Sequence, residues 1–314
     1  MPTGLHAPRG QRASRRPGLH LVEYYPPHRR RNTRHAQAGW AAMRVAVLGA
    51  AGLLGRYVAR QLASDGHTVD RITRATHNLS LYSSAKKIAA ERYDWIVNCA
   101  GIVKCRERES PIDTVLLNSA LPHWLEYESR KFRTRLLHVS TDCVFSGAKG
   151  HYHEDSEPDP VDLYGASKLA GEVHGPESLT IRCSFIGLEH GTSRGLLAWL
   201  IGEAAAGHAV KGYTNALWNG LSTFEVARVV SRILAKPGFP ISSVYHVSGG
   251  TISKCDLLCC LSAALGLGAV VEPMSEPLID RTLNATRFRV ATGYSPPTWN
   301  FMAQELADEW RGGR

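Results

Sequence analysis

Met43-Arg-Val-Ala-Val-Leu-Gly-Ala-Ala-Gly-Leu-Leu-Gly-Arg-Tyr-Val58 decides the fold of this chain. Arg44–Leu48 reads as a short apolar strand. Glycines follow as Gly49-x-x-Gly52-x-x-Gly55, and Leu53, Leu54, Val58 and Leu62 mark the apolar face of a helix that begins near Leu53. Each glycine has its own task. Gly49 permits a tight turn, Gly52 lets backbone N–H groups approach a pyrophosphate, and Gly55 lets the helix pack closely on the strand. The helix N-terminus then turns its partial positive charge toward the phosphates. Gly49, Gly52, Leu53, Leu54 and Gly55 are therefore expected to cradle a dinucleotide.

Bulk properties narrow the class. A chain of 314 residues with 44% hydrophobic content is globular and long enough for one large α/β unit or two modest domains. No apolar run reaches the roughly 18 residues of a membrane span. The seven cysteines are odd in number and form no C-x-x-C pair, which argues against a disulfide framework or structural zinc and for a reducing, cytoplasmic setting. The net charge of +9 is misleading as a sign of nucleic-acid binding. Residues 1–42 hold eight arginines against Glu23, and the remaining 29 basic and 27 acidic residues leave only +2. That segment is rich in Arg, Pro, Gly and His and has no apolar period, so it reads as a disordered basic extension upstream of a natural start at Met43.

From Met43 the pattern alternates strand and helix at short spacing, which argues an α/β fold with a Rossmann-like, doubly wound parallel sheet. A helix runs to about Ser64, and His67–Thr73 is the second strand. An acid at its end would bind a ribose 2′-hydroxyl, whereas an Arg accommodates a 2′-phosphate. Arg74 stands there, which favours NADPH, with NADH as the alternative. Leu79–Arg92 reads as a helix. Tyr93–Gly101 reads as a buried strand ending in Asn98, Cys99, Ala100 and Gly101, small residues that fit backbone lying against the cofactor. Thr114–Glu128 reads as a helix containing Asn118, and Arg135–Ser140 as a strand delivering Thr141 to the carboxyl edge. His151-x-His153-Glu154-Asp155 has metal-ligand spacing but lies in a polar loop and reads as solvated, with no metal expected. The final third is expected to build a smaller α/β substrate lobe. There, Tyr213–Thr223 mixes aromatics with amides, and Trp218 and Asn219 suit base stacking and sugar hydroxyls.

Tyr164-Gly-Ala-Ser-Lys168 completes the chemistry. Residues four apart share one helix face, so Lys168 is expected to reach toward Tyr164 and lower its phenol pKa. That makes a proton donor near neutral pH, with the Thr141 hydroxyl on the same substrate oxygen.

From Met43 to about residue 310 the chain resembles the extended short-chain dehydrogenase/reductase superfamily, and within it the dTDP-4-dehydrorhamnose reductase family. The resemblance rests on Gly49-x-x-Gly52-x-x-Gly55, Asn98-Cys-Ala-Gly101, Asn118, Ser140-Thr141-Asp142-x-Val144-Phe145-x-Gly147, Tyr164-Gly-x-x-Lys168-x-x-Gly-Glu172, Arg182 and Arg281-x-Leu283-Asn284-x-x-Arg287-Phe288. It implies reduction of a 4-keto-6-deoxy nucleotide sugar by NAD(P)H in deoxysugar or polysaccharide biosynthesis. Thr141, Tyr164 and Lys168 take the catalytic positions, and Lys168 and Asn118 also serve the cofactor. Cys143, Phe145, Arg182 and Arg281 join Trp218 and Asn219 on the substrate side. Cys143 departs from the tyrosine usual after Ser-Thr-Asp and also argues against the related 4,6-dehydratases, which place an acid there.

The expected division is a NAD(P)-binding domain over 43–180 and a substrate lobe over 181–314, interleaved with the end of the sheet. The partners are a nucleotide-linked sugar and, as an option, a second copy of the chain, with neither nucleic acid nor membrane. Two readings compete: a nucleotide-sugar epimerase with tightly bound NAD, and a non-catalytic NADP-binding regulatory subunit. N-terminal mass spectrometry of the natural protein is expected to find Met43 first, and a peptide from residues 20–40 would overturn that start.

Overall fold

The computed structural model describes residues 41–104, 110–189 and 195–312, so the expected basic extension lies outside the described residues except for its last two. The chain runs β1 (Arg44–Leu48), α1 (Gly55–Ser64), β2 (Thr68–Ile72), α2 (Tyr82–Ala90) and β3 (Trp95–Asn98). It continues through α3 (Pro111–Val115), α4 (Leu121–Arg130), β4 (Arg135–Ser140), α5 (Leu163–Ala170) and β5 (Ser178–Arg182). Much later the strand Ser243–His246 joins the same sheet. The six strands lie in the order Ser243–His246, β5, β4, β3, β1, β2, all parallel. This is a doubly wound, Rossmann-like sheet.

The residues of β1 explain the layering. Successive side chains of a strand point to opposite faces. Val45 and Val47 enter one core with Val58 and Leu62 of α1 and with Val226 and Val230 of the helix Thr223–Ala235. Ala46 and Leu48 enter the other with Ala85 and Ile88 of α2 and Leu121 and Leu125 of α4. A strand covered on both faces must be apolar at every position, and Val45–Leu48 are fully buried.

The last third adds short sheets beside this core. Ala216–Trp218 pairs with Ile252–Ser253 and Ile279–Asp280, and Val210–Tyr213 pairs with Val271–Met274. The stretch Tyr213–Thr223 thus contains strand Ala216–Trp218 and a second strand, Leu221–Ser222. Helix α1 begins at Gly55, two residues after the expected Leu53, and α2 is trimmed at both ends of the expected Leu79–Arg92. The expected helix Thr114–Glu128 is two helices, α3 and α4, joined by a π-helical turn at Leu116–Ala120. Among the described residues no helix is long and apolar enough to cross a membrane.

The turn after β1 depends on Gly49. Its φ is +72°, and a Cβ there would stand 2.9 Å from the Ala100 backbone. Gly49→Ala is expected to destabilise the protein by roughly 2–4 kcal/mol, from left-handed backbone strain plus the forced separation of β1 and β3 ends. Urea unfolding checks this, and a loss below about 1 kcal/mol would contradict the geometry.

Candidate active site

The carboxyl ends of β1, β3 and β4 meet at the topological switch point, where strand order reverses about β1 and β3. The Gly49 turn closes with Gly52 N–H donating to Gly49 O at 2.8 Å. The N-terminus of α1 carries no side-chain cap and no acidic residue in its first turn. Uncapped helix amides beside a turn with no Cβ form a cradle that fits a dinucleotide diphosphate. Leu53 and Leu54 lie in that turn, and Ala100 backs against Gly49. Asn98 is fully buried and accepts the Ala100 N–H on Oδ1 at 3.1 Å, which shapes this small-residue turn. Cys99, beside Lys168, has its thiol pushed up to about 12 by burial.

Asn118 makes its hydrogen bonds within the protein. It is fully buried in the π turn and donates from Nδ2 to Ile102 O at 3.0 Å and Ser167 Oγ at 3.1 Å, while Oδ1 accepts Ile102 N–H at 2.8 Å. The amide is spent on protein, clamping the loop after β3 to α5. The π turn is what carries the side chain there; such turns often mark functional positions.

Thr141 ends β4 and starts the short turn Asp142–Val144. Its Oγ1 accepts the Cys143 N–H at 3.2 Å and donates to Asp142 Oδ1 at 3.1 Å. Helix α5 opens on Asp162, whose carboxylate accepts Gly165 N–H at 2.8 Å and pairs with Lys104 at 2.6 Å. Gly165 lies so close to this turn that a Cβ would stand 2.2 Å from Cys143 O. That approach sets half-buried Tyr164 beside Thr141. The Tyr164 phenol lies above its ordinary pKa, raised first by burial and then by Cys143, with the hydrogen-bonding Thr141 hydroxyl acting the other way. The expectation that Lys168 lowers it is corrected. Lys168 is buried, donates to Val139 O at 2.6 Å and lies 3.1 Å from His138 Nε2. Its own pKa is brought down to about 8 by burial, with Glu172 opposing.

Two further cations face this corner. Arg281 donates from Nε to Phe145 O at 3.1 Å. Lys254, unmarked in the sequence reading, sits 4.0 Å over the Trp218 ring and is brought down to about 8 by burial, with Asp142 opposing. A signal for Lys254 existed. It is the first residue of the helix Lys254–Leu265, where the helix dipole disfavours a cation, so its presence there needs another reason. The Cys143 thiol, half-buried, is pushed up to about 12 by burial and by Asp142.

The other expected substrate residues make their contacts within the protein in this structure. Phe145 is fully buried and stacks on Tyr152 with ring centroids 4.1 Å apart. Arg182 forms a buried two-bond pair with Glu172, Nε–Oε1 at 2.8 Å and Nη2–Oε2 at 2.7 Å. Trp218 is buried against Trp299, with centroids 5.2 Å apart. Asn219 brackets Leu283, donating to its O at 2.8 Å and accepting its N–H at 3.0 Å. Arg74 is exposed, whereas Arg71 reaches the glycine turn and donates to Ala50 O at 3.2 Å. In the His151–Asp155 loop, Glu154 accepts the His246 N–H at 2.9 Å, and Tyr152 is buried, so the loop is bound to the sheet rather than simply solvated.

The fold and this Thr-Tyr-Lys corner define a protein of the extended short-chain dehydrogenase/reductase class. Residues 43–306 match the model of the RmlD substrate binding domain, and the chain belongs to that family. It is similar to a dTDP-4-dehydrorhamnose reductase of Mycolicibacterium smegmatis, 30% identical over 160 residues, an alignment that spans about half of either chain (49% of each). It is also similar to the spore coat polysaccharide biosynthesis protein SpsK of Bacillus subtilis, 29% identical over 67% of this chain and 74% of that one. Among solved structures, the dTDP-4-dehydrorhamnose reductase of Bacillus anthracis in complex with NADP superposes with a TM-score of 0.76 at 19% identity, covering 87% of this chain and 100% of that one.

Removing one partner of the Arg182–Glu172 pair strands a buried charge. Glu172→Leu is expected to cost about 3–5 kcal/mol in thermal or urea unfolding, and Arg182→Met combined with it to recover most of that loss. A single variant as stable as the parent would contradict the pairing.

Proposed function

We propose that the chain is an NADPH-dependent reductase of a 4-keto-6-deoxy nucleotide sugar. The observation that carries this reading is the convergence of Thr141 and Tyr164 at the end of β4, beside the glycine cradle. The names of the relatives and the NADP held by the similar Bacillus anthracis enzyme support it. NADPH, when bound, supplies the hydride for the carbonyl carbon. Tyr164 gives its phenolic proton to the carbonyl oxygen, so ketone becomes alcohol with one hydride and one proton. Its raised pKa keeps that proton in place until charge develops on the substrate oxygen. Thr141 donates a hydrogen bond to the same oxygen, which stabilises the charge where it forms. Lys168, buried under the site at the carboxyl end of β4, is the residue that would hold the cofactor ribose.

Residues 43–180 hold the cofactor in this reading, and 181–314 contribute most of the substrate lobe. Arg71 and Arg74, at the end of β2, select the 2′-phosphate. Arg281 and Lys254 face the substrate's diphosphate; both are cations at the edge of the Thr141–Cys143 turn. The activity places the protein in deoxysugar or polysaccharide biosynthesis.

Oxidation of NADPH, with NADH in parallel, against a panel of 4-keto-6-deoxy nucleotide sugars tests the reading. Tyr164→Phe is expected to lower kcat by about 10²–10⁴-fold, with NADPH affinity changed less than about twofold. Full turnover by that variant would overturn the mechanism. Sugar interconversion without net cofactor consumption would point to an epimerase instead.

A further inference from the structure

Trp218 was expected to stack a nucleobase, and its surroundings leave no face for one. The indole is buried. Trp299 lies against it, with centroids 5.2 Å apart and planes at 35°. Its six-membered ring abuts Gly220, where a Cβ would stand 2.0 Å from Trp218 Cζ2. Over the ring, 4.0 Å from the centroid, stands Lys254 Nζ. The backbone fixes this pair as well as the side chains do. Ile252 faces Trp218 across the antiparallel strands, and Lys254 begins the helix that follows them.

What the ammonium lacks is an acceptor. It carries three N–H donors. Among the described residues Lys254 Nζ has an aromatic ring beneath it and neither a hydrogen-bond acceptor nor a paired carboxylate. Asp142, the carboxylate of this corner, already accepts Thr141 Oγ1–H at 3.1 Å and the Cys143 thiol. Burial brings Lys254 down to about 8, with Asp142 and Cys143 favouring its charge and Arg281 opposing it. Arg281 spends Nε on Phe145 O, and its terminal nitrogens make no hydrogen bond among the described residues. Two half-buried cations thus keep unspent donors at one corner, which suits an anion with several oxygens. A ring face attracts a cation without consuming its N–H bonds, so Trp218 can fix the ammonium and leave those donors free.

We infer that Trp218 is a positioning residue: its ring face holds the Lys254 ammonium toward the diphosphate of the substrate, and it stacks no base. The inference rests on the reductase reading, which supplies the nucleotide-linked sugar. It changes what the tryptophan selects. A stacking platform favours a base. A ring beneath an ammonium favours the diphosphate, whatever base that diphosphate carries.

Calorimetric binding of thymidine diphosphate to the full chain tests this. Lys254→Gln is expected to weaken binding about 10–100-fold. The ring is tested by producing the chain with fluorinated tryptophan, which draws charge from the ring face with little change of shape, so the fold is kept. Binding is expected to weaken about 2–3-fold in the otherwise native chain and to stay unchanged in Lys254→Gln. That second background also accounts for the other tryptophans, which are fluorinated in both. An equal loss in both backgrounds would mean a merely structural or base-stacking ring. Tighter binding would mean that the ring competes with the ligand for the ammonium. Either result, no effect of fluorine, or a wild-type chain that binds no thymidine diphosphate overturns the inference. The expected pattern without reduction of any keto sugar would defeat the reductase reading alone. Binding untouched by Lys254→Gln would defeat this inference and leave the reductase reading standing.

Discussion

One buried carboxylate aligns the parts of this site. Glu172 follows α5, accepts Ser140 Oγ–H at 2.7 Å from β4, and takes both guanidinium contacts of Arg182 from β5. The residue before Thr141 and the helix bearing Tyr164 and Lys168 are thus referred to a single charge. Such a pair has lost its hydration on both sides, so it holds only while every donor and acceptor is matched. Here the matching extends outward. The Arg182 guanidinium lies 5.2 Å over the Phe145 ring, and its Nη1 is 3.3 Å from His246 Nε2. His246 Nδ1 in turn donates to Tyr152 O at 3.0 Å, on the loop that closes over the sheet edge.

What the sequence made legible was local. A glycine triplet between a strand and a helix, or Tyr and Lys four apart, is a pattern within one or two elements, and the strands, the cradle and the Thr141–Tyr164 juxtaposition follow from it. What stayed hidden was long-range. Asn219 finds Leu283, 64 residues away, and Arg182 finds Glu172 across a strand-helix connection. Nothing in a side chain's type says whether its hydrogen bonds go to a sugar or to the scaffold. Asn118, Arg182, Trp218 and Asn219 were expected to face a ligand; Asn118, Arg182 and Asn219 are hydrogen-bonded within the protein, and Trp218 packs on Trp299. The π turn was invisible for another reason: one extra residue in a helical run hardly alters the apolar period. Short strands such as Ala216–Trp218 owe their existence to distant partners rather than to their own composition.

Electrostatics divides the labour within α5. Spacing alone suggested that Lys168 serves Tyr164 directly. In the folded chain the lysine faces down, into the sheet, while the phenol faces the turn after β4. The two groups share a helix face but answer to different surroundings, the one to His138 and Val139 and the other to Thr141 and Cys143. Desolvation is the larger influence on both, and it acts in opposite directions because one is charged when protonated and the other when deprotonated.

Cys143 meets Thr141 twice, through its backbone N–H, which donates to Oγ1 at 3.2 Å, and through its thiol, whose hydrogen bond to that hydroxyl opposes the upward push of burial. The amide supports the reacting hydroxyl whatever side chain position 143 bears, while that side chain lies at the rim of the same corner. A substitution there leaves the amide's hold on Thr141 in place but alters the surroundings of the Tyr164 phenol, whose pKa Cys143 helps to raise.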